Sequence, residues 1–183
     1  RVGAAQLARV GRRFSDVVEL LGVEVGFLGG AQIDRYGNIN STAVGDYHRP
    51  EVRFPGSGGS ADVAALSKRT VIMVPHEKRR LPERVDYLTS PGWLNGGDSR
   101  AGAGLSRGGP SALVTTMGVI RYREVTREPY LASFHPGATP ESVRDESGFS
   151  LDISDAAETL APSAEELEIL RRVVDPEGIF IKP

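Results

Sequence analysis

The order of apolar and polar residues predicts an α/β chain whose strands end in turn-rich segments. Short apolar runs, rich in β-branched residues, are typical of buried strands. They cover residues 23–28, 70–74, 112–116, 119–125, 130–135 and 149–153. Helical spacing and capping patterns predict helices at 1–10, at 14–21, from Ala61 after a Ser60 cap, from Pro140 after Thr139, and after Ser163, where Glu166 completes a capping box. Such alternation of strands and helices is typical of one α/β domain.

Two long stretches, 36–55 and 90–110, lack apolar periodicity and are predicted to be loops. Long loops inside a compact domain are usually functional, which makes Asn40, Asp46, His48 and Arg53 candidates for binding. His48 has two interpretations, a binding residue or an ordinary surface histidine. In the second loop, Trp93 is the expected anchor.

Two glycine-rich turns come after the first predicted strand in quick succession. Gly29-Gly30 ends that strand, and Gly56-Ser57-Gly58-Gly59 precedes the helix expected at Ala61. Glycine allows positive φ or the close approach of another group, and unpaired amides in such turns can face a ligand. Ligands bind at the carboxyl ends of strands in open α/β sheets, and amides at a helix start favour an anion or oxyanion. We therefore predict a site in this stretch.

A charged run, from Pro75 to Arg80, comes directly after the strand predicted at 70–74. One interpretation is a clamp for a carboxylate or phosphate, made by Arg79 or Arg80 with Glu77 as partner. The other is a solvated charged turn, which is what charge runs usually are.

Composition narrows the classes of function. The 183 residues, 39% hydrophobic and 25% charged, favour a single domain spanning the chain. A net charge of -2 provides no basic surface for nucleic acid or an anionic membrane. Zero cysteines exclude disulfides, and three scattered histidines leave little for a metal site. Without a long apolar run or a signal-peptide pattern, the expectation is a soluble cytoplasmic protein.

Several ordered motifs resemble one family. These motifs are Phe27-Leu28-Gly29-Gly30-Ala31-Gln32-Ile33-Asp34, Tyr36-Gly37-Asn38-Ile39-Asn40-Ser41-Thr42, Gly45-Asp46-Tyr47-His48, Gly56-Ser57-Gly58-Gly59, His76-Glu77-Lys78-Arg79-Arg80, Ser90-Pro91-Gly92-Trp93, Asp145-Glu146-Ser147-Gly148-Phe149 and Ile179-Phe180-Ile181. Through them, the chain from Phe27 onward is similar to the B (beta) subunits of glutaconate CoA-transferase, within the family I CoA-transferases. So many motifs in one order are far more specific than a lone glycine turn.

The resemblance implies a three-layer α/β/α fold with a mostly parallel sheet, of the CoA-transferase type. It implies a hetero-oligomer with a separate A (alpha) subunit, coenzyme A bound as a thioester substrate, carboxylic acids as the other substrates, and no metal. It places the backbone amides of Gly58 and Gly59 at the thioester as oxyanion donors. The substrate or CoA contacts that it implies are Gln32, Asn40, His48, Ser57, Ser60 and Arg79.

The chain departs from the family at the nucleophile. The family's catalytic glutamate lies in a Glu-Ser-Gly-like segment upstream of the strand that ends near Phe27, and no such segment precedes Phe27 here. Residues 1–10 resemble the helix before that segment, and residues from Gly11 resemble the part of the family sequence after it. We expect the expressed polypeptide to be longer by several dozen residues and to carry the glutamate. The alternatives are a CoA-thioester ring-opening hydrolase subunit and a non-catalytic structural subunit.

Overall fold

The computed structural model describes residues 22–105 and 107–180, which form one mixed sheet with helices and short hairpins around it. The strands are β1 (Val25–Leu28), β2 (Gln32–Ile33), β3 (Ile39–Asn40), β4 (Ala43–Val44), β5 (Val52–Arg53), β6 (Arg69–Val74), β7 (Pro110–Thr115), β8 (Gly118–Tyr122), β9 (Pro129–Phe134) and β10 (Ala157–Glu158). The helices are α1 (Ser60–Leu66), α2 (Ser99–Gly102), α3 (Pro140–Asp145) and α4 (Ala164–Ile169), with a 3₁₀ turn at Lys78–Arg80 and a π-helical turn at Leu170–Val174.

The main sheet has six strands in the order β1-β6-β7-β8-β9-β10. β1 pairs parallel with β6, β6 with β7, and β9 with β10, whereas β8 pairs antiparallel with both of its neighbours. The two residues between β7 and β8 permit only a hairpin, while the long crossover from β6 to β7 permits a parallel pair. The mostly parallel sheet predicted by the resemblance is confirmed.

One face of this sheet carries the core. Ile72, Leu113, Ile120 and Leu131 lie on four adjacent strands and are fully buried. The β2–β3 hairpin, Leu81, α3 and the segment around Phe149 cover them. Burying each such aliphatic side chain contributes roughly 1.5–3 kcal/mol, so this contact fixes the hairpin against the sheet.

The prediction that 23–28 is a buried strand is only half right. β1 forms, but Phe27 is 70% exposed, and Met73 on the neighbouring strand is 55% exposed. Successive side chains of a strand point to opposite faces, so Gly26 faces α1 while Phe27 faces the other side of the sheet. Among the described residues, β1 is an edge strand with one open face.

Three further predictions need correction. The stretch 36–55 is not an extended loop, because it contains β3, β4 and β5. Ser60 is not a cap, since the N-cap is Gly59 and the Ser60 hydroxyl bonds elsewhere. The stretch 149–153 forms no strand; single bridges, Pro82 to Gly148 and Tyr130 to Asp152, join this region to its neighbours, and Arg123 pairs with Asp152. It turns inward to bury two apolar side chains, Phe149 and Leu151, and the sheet ends instead with β10.

Other predictions are confirmed. β6, β7, β8 and β9 lie within a few residues of the predicted strands. α3 begins at Pro140 after a Thr139 cap, and Ser163 with Glu166 forms the capping box of α4. The loop at 90–110 is held by Trp93, whose Nε1 donates to Pro110 O at 2.9 Å, although it also contains α2. The helices predicted at 1–10 and 14–21 lie outside the described residues.

Candidate functional site

The predicted site lies where β1 and β6 end side by side. The two strands are parallel neighbours with Leu28 opposite Ile72, so their carboxyl ends meet at one edge of the sheet. A Cβ at Gly26 would approach Val63 Cγ1 to 2.3 Å, so only glycine lets α1 pack this closely on β1. That close packing brings the start of α1, and the glycine turn before it, to the same edge.

Three consecutive amides of the glycine turn, those of Ser57, Gly58 and Gly59, have no acceptor among the described residues. Gly58 has φ +51°, and an added Cβ there would meet nothing within 4 Å. Gly59 has φ −91° and ψ 0°, a conformation open to other residues. Within residues 22–105 and 107–180, neither the Gly58 nor the Gly59 amide donates a hydrogen bond, whereas the neighbouring amides of Gly56 and Ser60 donate to Ser41 O and Ser57 O. The Gly58 and Gly59 amides are therefore free donors, and the space beside Gly58 is open.

Serine hydroxyls flank these amides. Ser60 Oγ donates to Ser57 O at 2.7 Å and lies 2.9 Å from Ser90 Oγ. Ser57 takes part through its carbonyl, and Ser60 joins the turn to the segment that contains Ser90. Sequence reasoning did not single out Ser90, because its contact with Ser60 spans 30 residues.

The side chains of Gln32 and Asn40 form hydrogen bonds within the protein. Asn40 is fully buried, and its Nδ2 donates to Gln32 Oε1 and to Ala43 O, both at 2.7 Å. Its Oδ1 accepts from the amides of Thr42 and Ala43. Gln32, 6% exposed, donates from Nε2 to Asp86 Oδ2 at 2.8 Å. Both amides have all their polar atoms in contacts that hold the hairpins together.

His48 and Arg79 lie on the surface outside this cluster. The His48 ring packs edge-on against Tyr47 at the exposed turn between β4 and β5. Arg79, with a side chain 77% exposed, pairs with Glu77, which also accepts from Arg80. Hydrogen bonding from Arg79, and then from Arg80, lowers the pKa of Glu77. The 3₁₀ turn that carries Arg79 follows the carboxyl end of β6 and packs against β2.

His76 is a buried group that the sequence analysis treated only as part of a charged run. It is 7% exposed, with Nδ1 2.9 Å from Thr115 Oγ1 and Nε2 3.0 Å from Val143 O. Burial lowers its pKa, against smaller opposing effects from the Val143 carbonyl and Glu146. It links β6, β7 and α3, so its role is to hold this edge of the sheet in place.

A Glu-Ser-Gly triplet does occur later in the chain, at Glu146-Ser147-Gly148. Glu146 is the C-cap of α3, and the Ser147 hydroxyl is buried and donates to Val143 O at 2.9 Å. This triplet ends a helix and does not have the place in the strand order that the resemblance requires for the nucleophile.

The described residues contain neither a group of three or more His, Cys, Asp or Glu side chains that could hold a metal ion nor a helix with the length and hydropathy of a membrane span.

Comparison with known proteins shows the family and the fold. Residues 14–146 match the family model described as Coenzyme A transferase, and the chain belongs to this family. The crystal structure of glutaconate coenzyme A-transferase from Acidaminococcus fermentans superposes with a TM-score of 0.85 at 41% identity, covering 97% of this chain and 68% of that chain. The predicted α/β fold class is therefore confirmed.

Curated relatives include both transferases and hydrolases. The chain is 46% identical over 159 residues to the B subunit of glutaconate CoA-transferase from Acidaminococcus fermentans, covering 86% of this chain and 59% of the relative. It is 39% identical over 150 residues to the B subunit of 3-oxoadipate CoA-transferase from Pseudomonas knackmussii, covering 81% and 58%. It is 31% identical over 153 residues to the cholesterol ring-cleaving hydrolase IpdB subunit of Mycobacterium bovis, covering 83% and 60%. The chain therefore spans about 60% of the length of these relatives.

Proposed function

We propose that the chain belongs to the B-type subunit of a CoA-transferase that moves CoA between carboxylic acids, with dicarboxylic acids as its substrate class. The observation that carries this proposal is the pair of unpaired amides at Gly58 and Gly59, with open space beside Gly58, at the carboxyl edge of the sheet. The dicarboxylic class is supported by the names of the relatives at 46% and 39% identity, glutaconate and 3-oxoadipate CoA-transferase.

In the proposed reaction, a glutamate carboxylate attacks the thioester carbonyl and forms a tetrahedral oxyanion. The C–S bond then breaks, CoA leaves as the thiolate, and a mixed anhydride remains. The thiolate attacks the glutamyl carbonyl, expels the donor acid and forms a glutamyl-CoA thioester, which the acceptor acid resolves by the reverse steps. Covalent catalysis of this kind divides one difficult exchange into easier ones.

The described residues would serve the oxyanion and the bound substrate. The amides of Gly58 and Gly59 would donate to the oxyanion of each tetrahedral intermediate, where one preorganised donor contributes roughly 3 kcal/mol. Ser57 and Ser60 would shape the wall beside it. Arg79 would bind a substrate carboxylate or a CoA phosphate, exchanging its contact with Glu77 for one with the ligand.

The remaining candidate residues would act at a distance from the thioester. Gln32 and Asn40 would position the hairpins through their internal hydrogen bonds rather than touch the substrate. His48, on an exposed turn, would contact the CoA at the rim of the site. The catalytic glutamate would be supplied by a part of the protein other than these residues, and a separate A-type subunit would complete the site.

The test uses the full-length gene product purified with its A-type subunit. The complex is incubated with glutaryl-CoA, with and without acetate, and acetyl-CoA and free CoA are separated by chromatography. Acetate-dependent formation of acetyl-CoA, with an enzyme-bound CoA thioester visible by intact mass, is the expected result. Acetate-independent release of free CoA would instead assign a hydrolase, and equal transfer by the A-type subunit alone would assign a structural role.

A further inference from the structure

Arg100, a buried arginine in α2, joins the second half of α1 to the segment that contains Ser90. It is 3% exposed, and burial lowers its pKa. Among the described residues, its guanidinium donates only to backbone carbonyl oxygens. Nε donates to Arg107 O at 3.0 Å, and one terminal nitrogen donates to Gly92 O at 2.9 Å and to Pro91 O at 3.2 Å. The other terminal nitrogen donates to Ala64 O and Arg107 O at 2.8 Å and to Ala65 O at 3.4 Å. Within the described residues no carboxylate pairs with it.

An arrangement of this kind is unusual, because a buried charge is normally paired with an opposite charge. Here the carbonyl dipoles take that place, and those of Ala64 and Ala65 belong to the negative end of α1. Removing the guanidinium would leave several buried carbonyls without a donor. Such contacts explain why an arginine is buried at this place in the fold.

The two terminal nitrogens contact two different segments of the chain. One holds Ala64 O in α1, the helix that begins directly after Gly59. The other holds Gly92 O, two residues after Ser90. Ser60 at the start of α1 and Ser90 meet through their hydroxyls at 2.9 Å. Because the guanidinium is planar and rigid, it sets the separation of the two segments that this hydroxyl pair joins.

We propose that Arg100 is a positioning residue that holds the glycine turn of α1 against the Ser90 segment at the distance needed for oxyanion binding. The effect on the transfer rate rests on the proposed function, whereas the separation of the two segments set by Arg100 does not. Misplacing a catalytic group by about 1 Å can cost roughly 100-fold in rate, so a small shift between these two segments is enough to matter.

The first test replaces Arg100 in the full-length complex. Arg100→Lys keeps the charge, but a single ammonium cannot contact both segments, and Arg100→Met removes the charge altogether. Arg121→Lys, at an exposed arginine on β8, is the matched control. Hydrogen exchange is measured by mass spectrometry on peptides covering residues 57–66 and 89–93. We expect faster exchange in these two segments with β8 and β9 unchanged; faster exchange throughout the chain would show that Arg100 holds the whole fold and would overturn the proposal.

The second test is kinetic. Because the oxyanion charge develops only when the thioester carbonyl is attacked and is absent from the bound substrate, a displaced turn lowers kcat and leaves KM for the acyl-CoA nearly unchanged. We expect Arg100→Lys to reduce kcat by roughly 10- to 100-fold. A rise in KM at unchanged kcat, or a loss of kcat that only tracks the unfolded fraction, contradicts the positioning role.

A double-mutant cycle with Ser60→Ala decides whether the two residues act together. If Arg100 works through the contact between Ser60 and Ser90, the loss caused by Arg100→Lys should be smaller in the Ser60→Ala background. Losses that multiply would show that Arg100 acts elsewhere. If the unaltered complex transfers no CoA, the proposed function fails, and the hydrogen-exchange result still decides whether Arg100 holds the two segments.

Discussion

Replacing Gly59 by valine tests whether the glycine turn touches the reacting thioester. Gly59 has φ −91° and ψ 0°, so a side chain there causes no positive-φ strain. Valine would place two methyl groups next to the unpaired amides and keep the thioester from approaching them. Losing one preorganised oxyanion donor costs roughly 100- to 1,000-fold in kcat, so we expect a loss of at least about 100-fold.

Gly58→Ala is the matched variant, because it disturbs the backbone without a steric clash. Gly58 has φ +51°, and a Cβ there would meet nothing within 4 Å. The cost is therefore conformational, about 1–2 kcal/mol for an L-residue in the left-handed region. For a domain of this size, that lowers the thermal midpoint by about 2–8 °C. Gly58→Asn should lower it less, since asparagine tolerates this conformation.

The assay combines the transfer rate of the assembled complex with its thermal midpoint. Gly59→Val should lose rate at a nearly unchanged midpoint, and Gly58→Ala should lose stability. If Gly59→Val keeps both rate and midpoint near the unaltered values, the turn is purely structural and the site is misplaced. If rate and midpoint fall together, the loss belongs to the fold, and the steric reasoning is wrong as well.

Four further predictions concern two buried polar side chains, a surface arginine and the partner subunit. Asn40→Ala should destabilise the fold by about 3 kcal/mol in urea unfolding, because it leaves buried groups without partners, whereas exposed Asn95→Ala should stay within about 0.5 kcal/mol. Burial lowers the pKa of His76 in the folded state, so the unfolded state takes up the proton first as pH falls below about 6.5. The free energy of unfolding should then fall by up to roughly 1.4 kcal/mol per pH unit. If His76→Gln has the same pH dependence of stability as the unaltered protein, His76 is not its origin. Arg79→Gln should raise KM for the acyl-CoA at unchanged kcat, and an unaltered KM would make the charged run a solvated turn. The full-length chain should co-purify with an A-type subunit; full transfer by this chain alone would refute a shared site.

Local structure was largely predictable because it depends on neighbouring residues. β6 to β9 have β-branched runs between turn residues, and the helices at Pro140 and Ala164 carry their own caps. The glycine turn before α1 was also visible, since glycines at this density mark backbone that other residues avoid. Its interpretation as a site rested on those glycines after a strand end and on the ordered motifs that resemble family I CoA-transferases.

The errors occurred where distant parts of the chain decide the outcome. Strands two residues long, such as β4 and β5, are too short to produce an apolar pattern. The segment around Phe149 has a strand-like composition but makes only single bridges, because two of its side chains fill the core. Helix α1 begins at Ser60 rather than after it, because the Val63 amide donates to Gly59 O, while the Ser60 hydroxyl bonds to Ser57 and Ser90.

The sequence by itself determined the α/β class, most strands of the sheet and the position of the glycine turn, because each depends on residues close together in the chain. Only the tertiary structure decided what the polar residues do. Asn40 and Gln32 are committed to contacts within the hairpins and with Asp86, 54 residues from Gln32, so they face inward rather than toward a ligand. In the sequence, Arg100 is one charged residue within the predicted loop at 90–110. Only the fold shows that carbonyls from α1 and from the Ser90 segment surround it. A hydrogen bond between distant residues has no local signature, since it depends on how the whole chain brings donor and acceptor within about 3 Å.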